Sequence, residues 1–403
     1  MRVLISAGEA SGEMYGAQLM EALRNAGEGA RAAQQARATS SLEFFGVGGE
    51  RMRAAGCDIV VDSKDLAVVG ITEILGHLPK IWHLFHKLIA EADRRRPDLA
   101  VVIDSPAFNW RVARQMKKRG IPVVYYVCPQ FWAWRQGRVR LLRKYVDRAL
   151  VIFPFEEKFY RDRGVIAQFV GHPLARIERP SIARKEYAEQ FRIDPAKPWI
   201  TLMPGSRKKE VRMNLPAVLE SARLLGPGYE FLLPVAPTLD KEFVKALVER
   251  EQSAEAPTAA GTHLVSEALP ALAHSRAGII ASGTATVEAA MMDLPFVMVY
   301  RVTPLTYWLG RSTVKVPYFA MVNLIAGEKV VPELVQDDFT PENATAEVGR
   351  IIPDGEPRTR MLAGLREVRN RLRGPSQEAI DPAEKAAKAI LSLWQDRNAL
   401  PAR

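Results

Sequence analysis

Short apolar runs alternate with stretches of three-and-four hydrophobic spacing along almost the whole chain. In the first half this pattern predicts strands near 2–6, 43–47, 57–61, 99–103, 122–127 and 148–153. Helices are predicted over 12–25, 73–95, 106–119, 137–146 and 154–163. Strands followed so regularly by helices are the mark of a parallel sheet covered by helices. Around 178–198 the chain turns polar and proline-bearing (Arg179-Pro180, Asp194-Pro195, Lys197-Pro198), which reads as a linker. A second α/β series follows, with strands near 199–203, 229–235, 277–281 and 295–300, and helices near 355–372 and 377–396 close the chain. Asn25–Ser41, rich in Ala, Gly, Gln and Arg without an apolar period, reads as a surface loop or a frayed helix.

At 403 residues the chain exceeds what one core usually supports. The expected architecture is α/β, with two doubly wound Rossmann-like domains over 1–178 and 190–372, facing each other across a cleft. Ligands would sit outside the carboxyl ends of the strands. The final helices, about 375–403, either cross back onto the first domain or dock on another subunit of a homodimer.

Hydrophobic residues at 48% and charged residues at 25% are ordinary globular composition, which excludes a wholly disordered chain. Cys57 and Cys128 lie beside apolar strand-like sequence and read as buried, reduced thiols. No Cys/His arrangement has metal-ligand spacing. The start of the chain enters a strand directly, with no signal-like apolar stretch, and no run approaches the ~20 apolar residues of a membrane span. A cytoplasmic protein with a membrane-facing surface is expected. The formal net charge of +10 favours an anionic partner.

Two glycine-and-hydroxyl turns carry the first chemistry. Pro204-Gly205-Ser206-Arg207 follows the strand at 199–203, and Ser282-Gly283-Thr284-Ala285-Thr286-Val287-Glu288 follows the strand at 277–281; each opens a helix. A helix N-terminus offers unpaired N–H donors and the positive end of the macrodipole to a phosphate. Arg207 can grip phosphates bidentately, and Glu288 can hold ribose hydroxyls. The pair predicts a nucleoside-diphosphate site. The chain contains no Asp-x-Asp element, so Arg207 and the helix ends would neutralise the diphosphate without a metal or other cofactor.

The first half supplies further candidates. Ser6-Ala7-Gly8-Glu9-Ala10-Ser11-Gly12-Glu13 is a strand-to-helix turn, either a tight connection capped by Ser11 or an acceptor-side surface with Gly12 and Glu13. Asp104, at the end of Leu99–Ile103, is either a general base or a cap for the helix opening at Pro106, with Asn109 five residues on. Trp132-Ala133-Trp134-Arg135 is a post-strand loop followed by Arg138, Arg140, Arg143 and Lys144. That charge run reads as a solvated basic helix, and no nucleic-acid module surrounds it. Between Asp65 and Lys87 an apolar stripe of Ile71, Ile74, Leu75, Leu78, Ile81, Trp82, Phe85 and Leu88 follows Val68-Val69-Gly70. It is either core or a face for lipid or acyl chains, and Gly76 and Pro79 argue against one long regular helix. His172 in Gly171-His172-Pro173 is a hinge residue or a catalytic one. Asn323 and the Pro332–Gln336 run either line the donor pocket or form a polar loop.

Taken together, these runs resemble the bacterial lipid-A-disaccharide synthases. The match covers Ser6–Glu13, Gly46-Val47-Gly48-Gly49 with Met52, Asp104-Ser105-Pro106 through Asn109, Trp132–Arg135, Gly171–Pro173, Pro204–Arg207, Ser282–Thr286 with Glu288, and Asn323–Ala326, in family order from residue 1 to about 395. The resemblance implies a GT-B glycosyltransferase fold. It also implies inverting transfer of 2,3-diacylglucosamine from UDP to the 6-hydroxyl of 2,3-diacylglucosamine 1-phosphate, on the cytoplasmic face of an anionic inner membrane. Residues matching Asp104 and Arg207 are essential in that family. The rivals are a UDP-sugar 2-epimerase on the same fold and a non-catalytic glycolipid carrier.

Overall fold

β1 (Arg2–Ala7), β2 (Glu43–Gly48), β3 (Cys57–Asp62), β4 (Leu99–Ile103), β5 (Val123–Tyr126), β6 (Arg148–Val151) and β7 (Ala167–Phe169) form one sheet in the computed structural model. Residues 1–33, 42–66, 71–253, 261–303, 316–373 and 381–399 are described. The strand order is 3-2-1-4-5-6-7 and each pairing is parallel. β4 is wholly buried and β1 nearly so, as strands covered by helices on both faces must be. A second sheet contains β8 (Trp199–Met203), β9 (Glu230–Pro234), β10 (Thr262–Val265), β11 (Ala277–Ala281), β12 (Phe296–Tyr300) and β13 (Glu333–Val335), in the parallel order 10-9-8-11-12-13. In each sheet the winding reverses once, between β1 and β4 and between β8 and β11. The loops leaving those two strands diverge there and open a crevice at their carboxyl ends.

The chain divides into two units, Met1–Pro173 with Ser376–Arg403, and Leu174–Pro375. The expected linker at 178–198 is instead partly helical, over Arg184–Phe191, and belongs to the second unit. Its polarity misled because six of the eight helical residues are polar, charged or small; Tyr187 and Ala188 are buried with Ile193, Trp199, Leu232, Val265 and Ala271. Arg184 lies over the Trp199 ring at 3.8 Å, so a charged residue seals that core. The last helix, Pro382–Ala399, packs on the helix Ala10–Ala33 within the first unit. Arg148 Nη1 donates to Ala389 O at 2.8 Å, and Ala386, Ala387 and Ile390 are fully buried.

Three strands escaped the sequence pattern: β7, β10 and β13. All are edge strands of three or four residues with polar members, too short to show a period. The first helix also starts at Ala10, which puts Ser11 inside its first turn and removes it as a cap. It continues through Ala33, so the loop alternative fails for residues 25–33, while 34–41 lie outside the described residues.

One long helix, Ile71–Arg95, contains the predicted 73–95 and is not broken at Gly76 or Pro79, which argued against such length. Proline in a helix removes one backbone bond at a cost of about 3 kcal/mol. Pro79 and Lys80 are exposed, and Leu88, Ile89 and Ala92 anchor the following turns in the core. Among the described residues no helix is long and apolar enough to cross a membrane.

Candidate active site

Beyond β4 the backbone does something costly. Asp104 and Ser105 both have φ of 47°, in the left-handed region that non-glycine residues avoid. Each such residue costs about 1–3 kcal/mol unless its surroundings enforce it. The enforcement is visible. Asn109 is completely buried, and its Nδ2 donates to Ile103 O at 2.8 Å, Asp104 O at 2.9 Å and Ser6 O at 3.2 Å. Its Oδ1 accepts from Ser6 Oγ at 2.7 Å. Tyr125 Oη donates to Asp104 O at 2.7 Å. A Cβ on Gly8 would lie 2.5 Å from Ser105 Oγ, so the turns after β1 and β4 interlock.

Asp104 itself is half-buried. The residue directly before the helix is Ser105, whose left-handed backbone and missing side-chain capping bond are not those of an ordinary cap. Asn109, expected on the acceptor side, is buried, and its side-chain bonds lie within the turn. Gly12 is buried, with room for only ordinary contact to Ala7 and Ile103. Glu13 Oε1 accepts from Arg51 N at 2.7 Å, at the start of the helix Glu50–Ala54. A Cβ on Gly49 would strike the same carboxylate. Glu13 therefore fastens two elements 38 residues apart in sequence.

In the second unit, β8 and β11 pair side by side, Met203 against Ile280. Their carboxyl ends bring Gly205–Arg207 and Ser282–Glu288 to the same edge of the sheet. Gly205 has φ of 136°, and a Cβ there would sit 2.6 Å from Glu210 Cβ. This closeness lets Glu210 fold back. Its Oε2 accepts from Ser206 N at 3.1 Å and Arg207 N at 3.3 Å, and its Oε1 accepts from Arg207 Nη1 at 2.8 Å. A carboxylate thus already holds the donors expected to receive a phosphate. The Arg207 side chain remains 74% exposed. Asn214, buried below, donates to Pro204 O at 2.8 Å.

The second turn is open. Gly283 has φ of 143° and nothing within 4 Å of where a Cβ would stand. Ser282 Oγ donates to Phe319 O at 2.8 Å, and Thr286 Oγ1 donates to Gly283 O at 2.8 Å. Glu288 is half-buried, burial raises its pKa, and its side chain has no polar partner among the described residues. Asn323 was expected against the nucleotide. It is fully buried: its Oδ1 accepts from Val330 N and Val331 N, and its Nδ2 donates to Val331 O and to Glu333 Oε1. Gln336 clamps Val302 from both sides, through its Oε1 and its Nε2.

Glu156 went unnoticed in the sequence. Buried completely, it accepts from Trp132 Nε1 at 2.8 Å, Phe153 N at 3.0 Å and Ile152 N at 3.1 Å. Burial pushes its pKa up to about 7. Proline at the first helical position and Glu two residues later is the signal that could have revealed it. Trp132 is buried through this bond, while Trp134 is 45% exposed with Arg135 stacked 4.5 Å from its ring. His172 is buried against Phe153, and burial pulls its pKa down to about 3, so it is neutral at ordinary pH.

The apolar segment is only partly visible. Val68 and Val69 lie outside the described residues; Ile71, Ile74, Leu75 and Leu78 are helical in backbone, with side chains outside the described set. Trp82 is 65% exposed and lies 3.9 Å from the His86 ring. Among the described residues no three His, Cys, Asp or Glu side chains cluster as metal ligands would.

Two doubly wound units, each with its candidate residues at the carboxyl ends of its two central strands, define a GT-B type glycosyltransferase fold. A calicheamicin glycosyltransferase structure matches 99% of this chain and 99% of its own at TM-score 0.57 and 16% identity. A UDP-GlcNAc 2-epimerase from Neisseria meningitidis, solved with UDP-GlcNAc, matches 99% of this chain and 100% of its own at TM-score 0.56 and 14% identity. Such likeness speaks for the fold alone, since a transferase and an epimerase share it. Sequence separates them: the family model for lipid-A-disaccharide synthetase matches residues 3–387. The lipid-A-disaccharide synthase of Koribacter versatilis is 52% identical over 399 residues, covering 99% of this chain and 100% of that protein. The chain belongs to the lipid-A-disaccharide synthase family, and it is a glycosyltransferase of lipid A biosynthesis.

Proposed function

We propose that the enzyme joins UDP-2,3-diacylglucosamine to 2,3-diacylglucosamine 1-phosphate with inversion, giving the β(1→6)-linked disaccharide 1-phosphate and UDP. The observation that carries this reading is the set of groups at the adjoining ends of β8 and β11. An exposed guanidinium, Arg207, accompanies an open glycine turn at 283 and a half-buried carboxyl, Glu288, with no polar partner among the described residues. These suit a diphosphate and a ribose respectively.

In the proposed reaction Asp104 takes the proton from the acceptor 6-hydroxyl. The oxygen attacks the anomeric carbon from the face opposite the diphosphate, the new C–O bond forms as the bond to phosphate breaks, and UDP departs with both electrons. Arg207 and the main-chain donors of residues 205–207 and 282–285 meet the charge growing on the leaving group, which makes a divalent ion unnecessary. Acyl chains contact the segment holding Val68, Val69, Ile71, Ile74, Leu75, Leu78 and Trp82, at the cytoplasmic face of an anionic inner membrane.

The test is release of UDP from labelled donor, with and without acceptor, in buffer containing EDTA. Release that needs the acceptor and survives EDTA is expected. Release of UDP or a free sugar isomer from donor alone would favour the epimerase, and no release at all the carrier.

A further inference from the structure

Asp104 keeps one foot in the sheet: its N–H still donates to Tyr126 O at 3.2 Å. Its carbonyl has left the ladder. Both lone pairs of that oxygen are taken by side chains, Asn109 Nδ2 at 2.9 Å and Tyr125 Oη at 2.7 Å. The peptide plane after Asp104 is therefore rotated and held, and its rotation is what puts Asp104 and Ser105 into left-handed backbone. With φ and ψ set this way, the direction of the Asp104 Cα–Cβ bond is decided by two buried polar side chains and not by the strand's own alternation.

We propose that Asn109 and Tyr125 are positioning residues for the transfer: by pinning the Asp104 carbonyl they hold the carboxyl in the orientation that accepts the acceptor proton. The inference rests on reading Asp104 as the base. Three observations favour it over ordinary core satisfaction. Both side chains are fully buried, so neither contacts a substrate directly. Among the described residues, every side-chain hydrogen bond of Asn109 ends on Ser6, Ile103 or Asp104, the residues that form the turn. And Ser105 Oγ fills the space that Gly8 leaves by lacking a side chain, 2.5 Å from where a Cβ would stand, so the two turns are packed against each other. Strain of this kind persists where the surroundings over-determine it, and it concentrates at working sites.

The experiment is a double-mutant cycle on the full chain, reading acceptor-dependent UDP release, donor KM, pH profile and melting temperature. Tyr125→Phe deletes one oxygen from a buried ring. It is expected to lower kcat about tenfold, as a small misorientation of a catalytic group does, with donor KM within about twofold. Asn109→Ala, which frees the turn more fully, is expected to lower it about a hundredfold. On an Asp104→Asn background neither substitution should lower the residual rate further, because residues acting through one group are not additive. Should Asn109→Ala fail to fold, Tyr125→Phe carries the cycle alone. A normal kcat for Tyr125→Phe, or the same fractional loss with and without Asp104→Asn, would overturn the positioning role. Near-normal turnover by Asp104→Asn alone would instead sink the reading of Asp104 as base.

Discussion

In the proposed reaction Asp104 is the base, and its substitution gives the sharpest single measurement. Asp104→Asn preserves shape and removes the base, so kcat should fall roughly 10²–10⁴-fold with UDP affinity unchanged by calorimetry. Glu210 makes a less obvious demand. In the free protein it occupies the Ser206 and Arg207 amides and the Arg207 guanidinium, so a diphosphate must take these donors from it. An equilibrium between a filled and a vacant site weakens apparent affinity by the vacant fraction. Glu210→Gln should therefore bind UDP about five- to tenfold more tightly while uridine binding stays constant. Weaker UDP binding would show that Glu210 presents the loop and does not compete for it. The turn itself was legible in the sequence, because a glycine at φ of 136° and an arginine before a helix leave a recognisable pattern. Its occupant was not. Arg207-x-x-Glu210 is also an ordinary capping spacing, and only coordinates show the carboxylate bridging backbone and guanidinium together. Asn109 and Asn323 stood out in the sequence by polarity alone; that both are buried and braced by their own turns is visible only in the structure.

At the scale of elements, long apolar strands announced themselves and the shortest edge strands did not. β1, β4, β8 and β11 are almost wholly buried and read as mainly apolar runs, so the strands that carry the candidate site were found. β7, β10 and β13 have a neighbour on one side only and could afford Gln168, His263 and Glu333. The helix Pro154–Arg161 hides the most consequential element, its buried Glu156. That group's pKa is raised to about 7 in the fold, so the folded chain binds the proton more tightly than the unfolded one. Its contribution to stability is full below about pH 4.5, declines as pH rises to about 7, and is absent above. A rise of this size corresponds to roughly 3 kcal/mol. His172, neutral in the fold, acts with opposite sign below its ordinary range, so the comparison must be between variants and not with zero. Relative to Glu156→Gln, the wild type should lose roughly 3 kcal/mol in urea unfolding between pH 4.5 and 8. Parallel curves would mean that Glu156 is ionised throughout.

For the whole molecule the governing quantity is charge set beside apolar surface. The net charge of +10 is not spread evenly: Arg135, Arg138, Arg140, Arg143 and Lys144 are all exposed within ten residues. Elsewhere on the first unit Trp82 is exposed among His83, His86 and Lys87. A basic residue near an anionic bilayer contributes about 1 kcal/mol and is screened by salt, whereas apolar insertion is not. The two contributions are therefore separable. Binding to anionic vesicles should weaken several-fold between low and physiological salt, and Arg138→Glu with Arg140→Glu and Arg143→Glu should abolish that salt dependence. Serine at Ile74, Leu75 and Leu78 should instead lower binding by a similar factor at every salt concentration, since what it removes is area and not charge. Co-sedimentation across a salt series reads both slopes at once. If the serine variant partitions like the wild type, the stripe is core, and the acyl chains of the proposed substrates must be met by another part of the first unit.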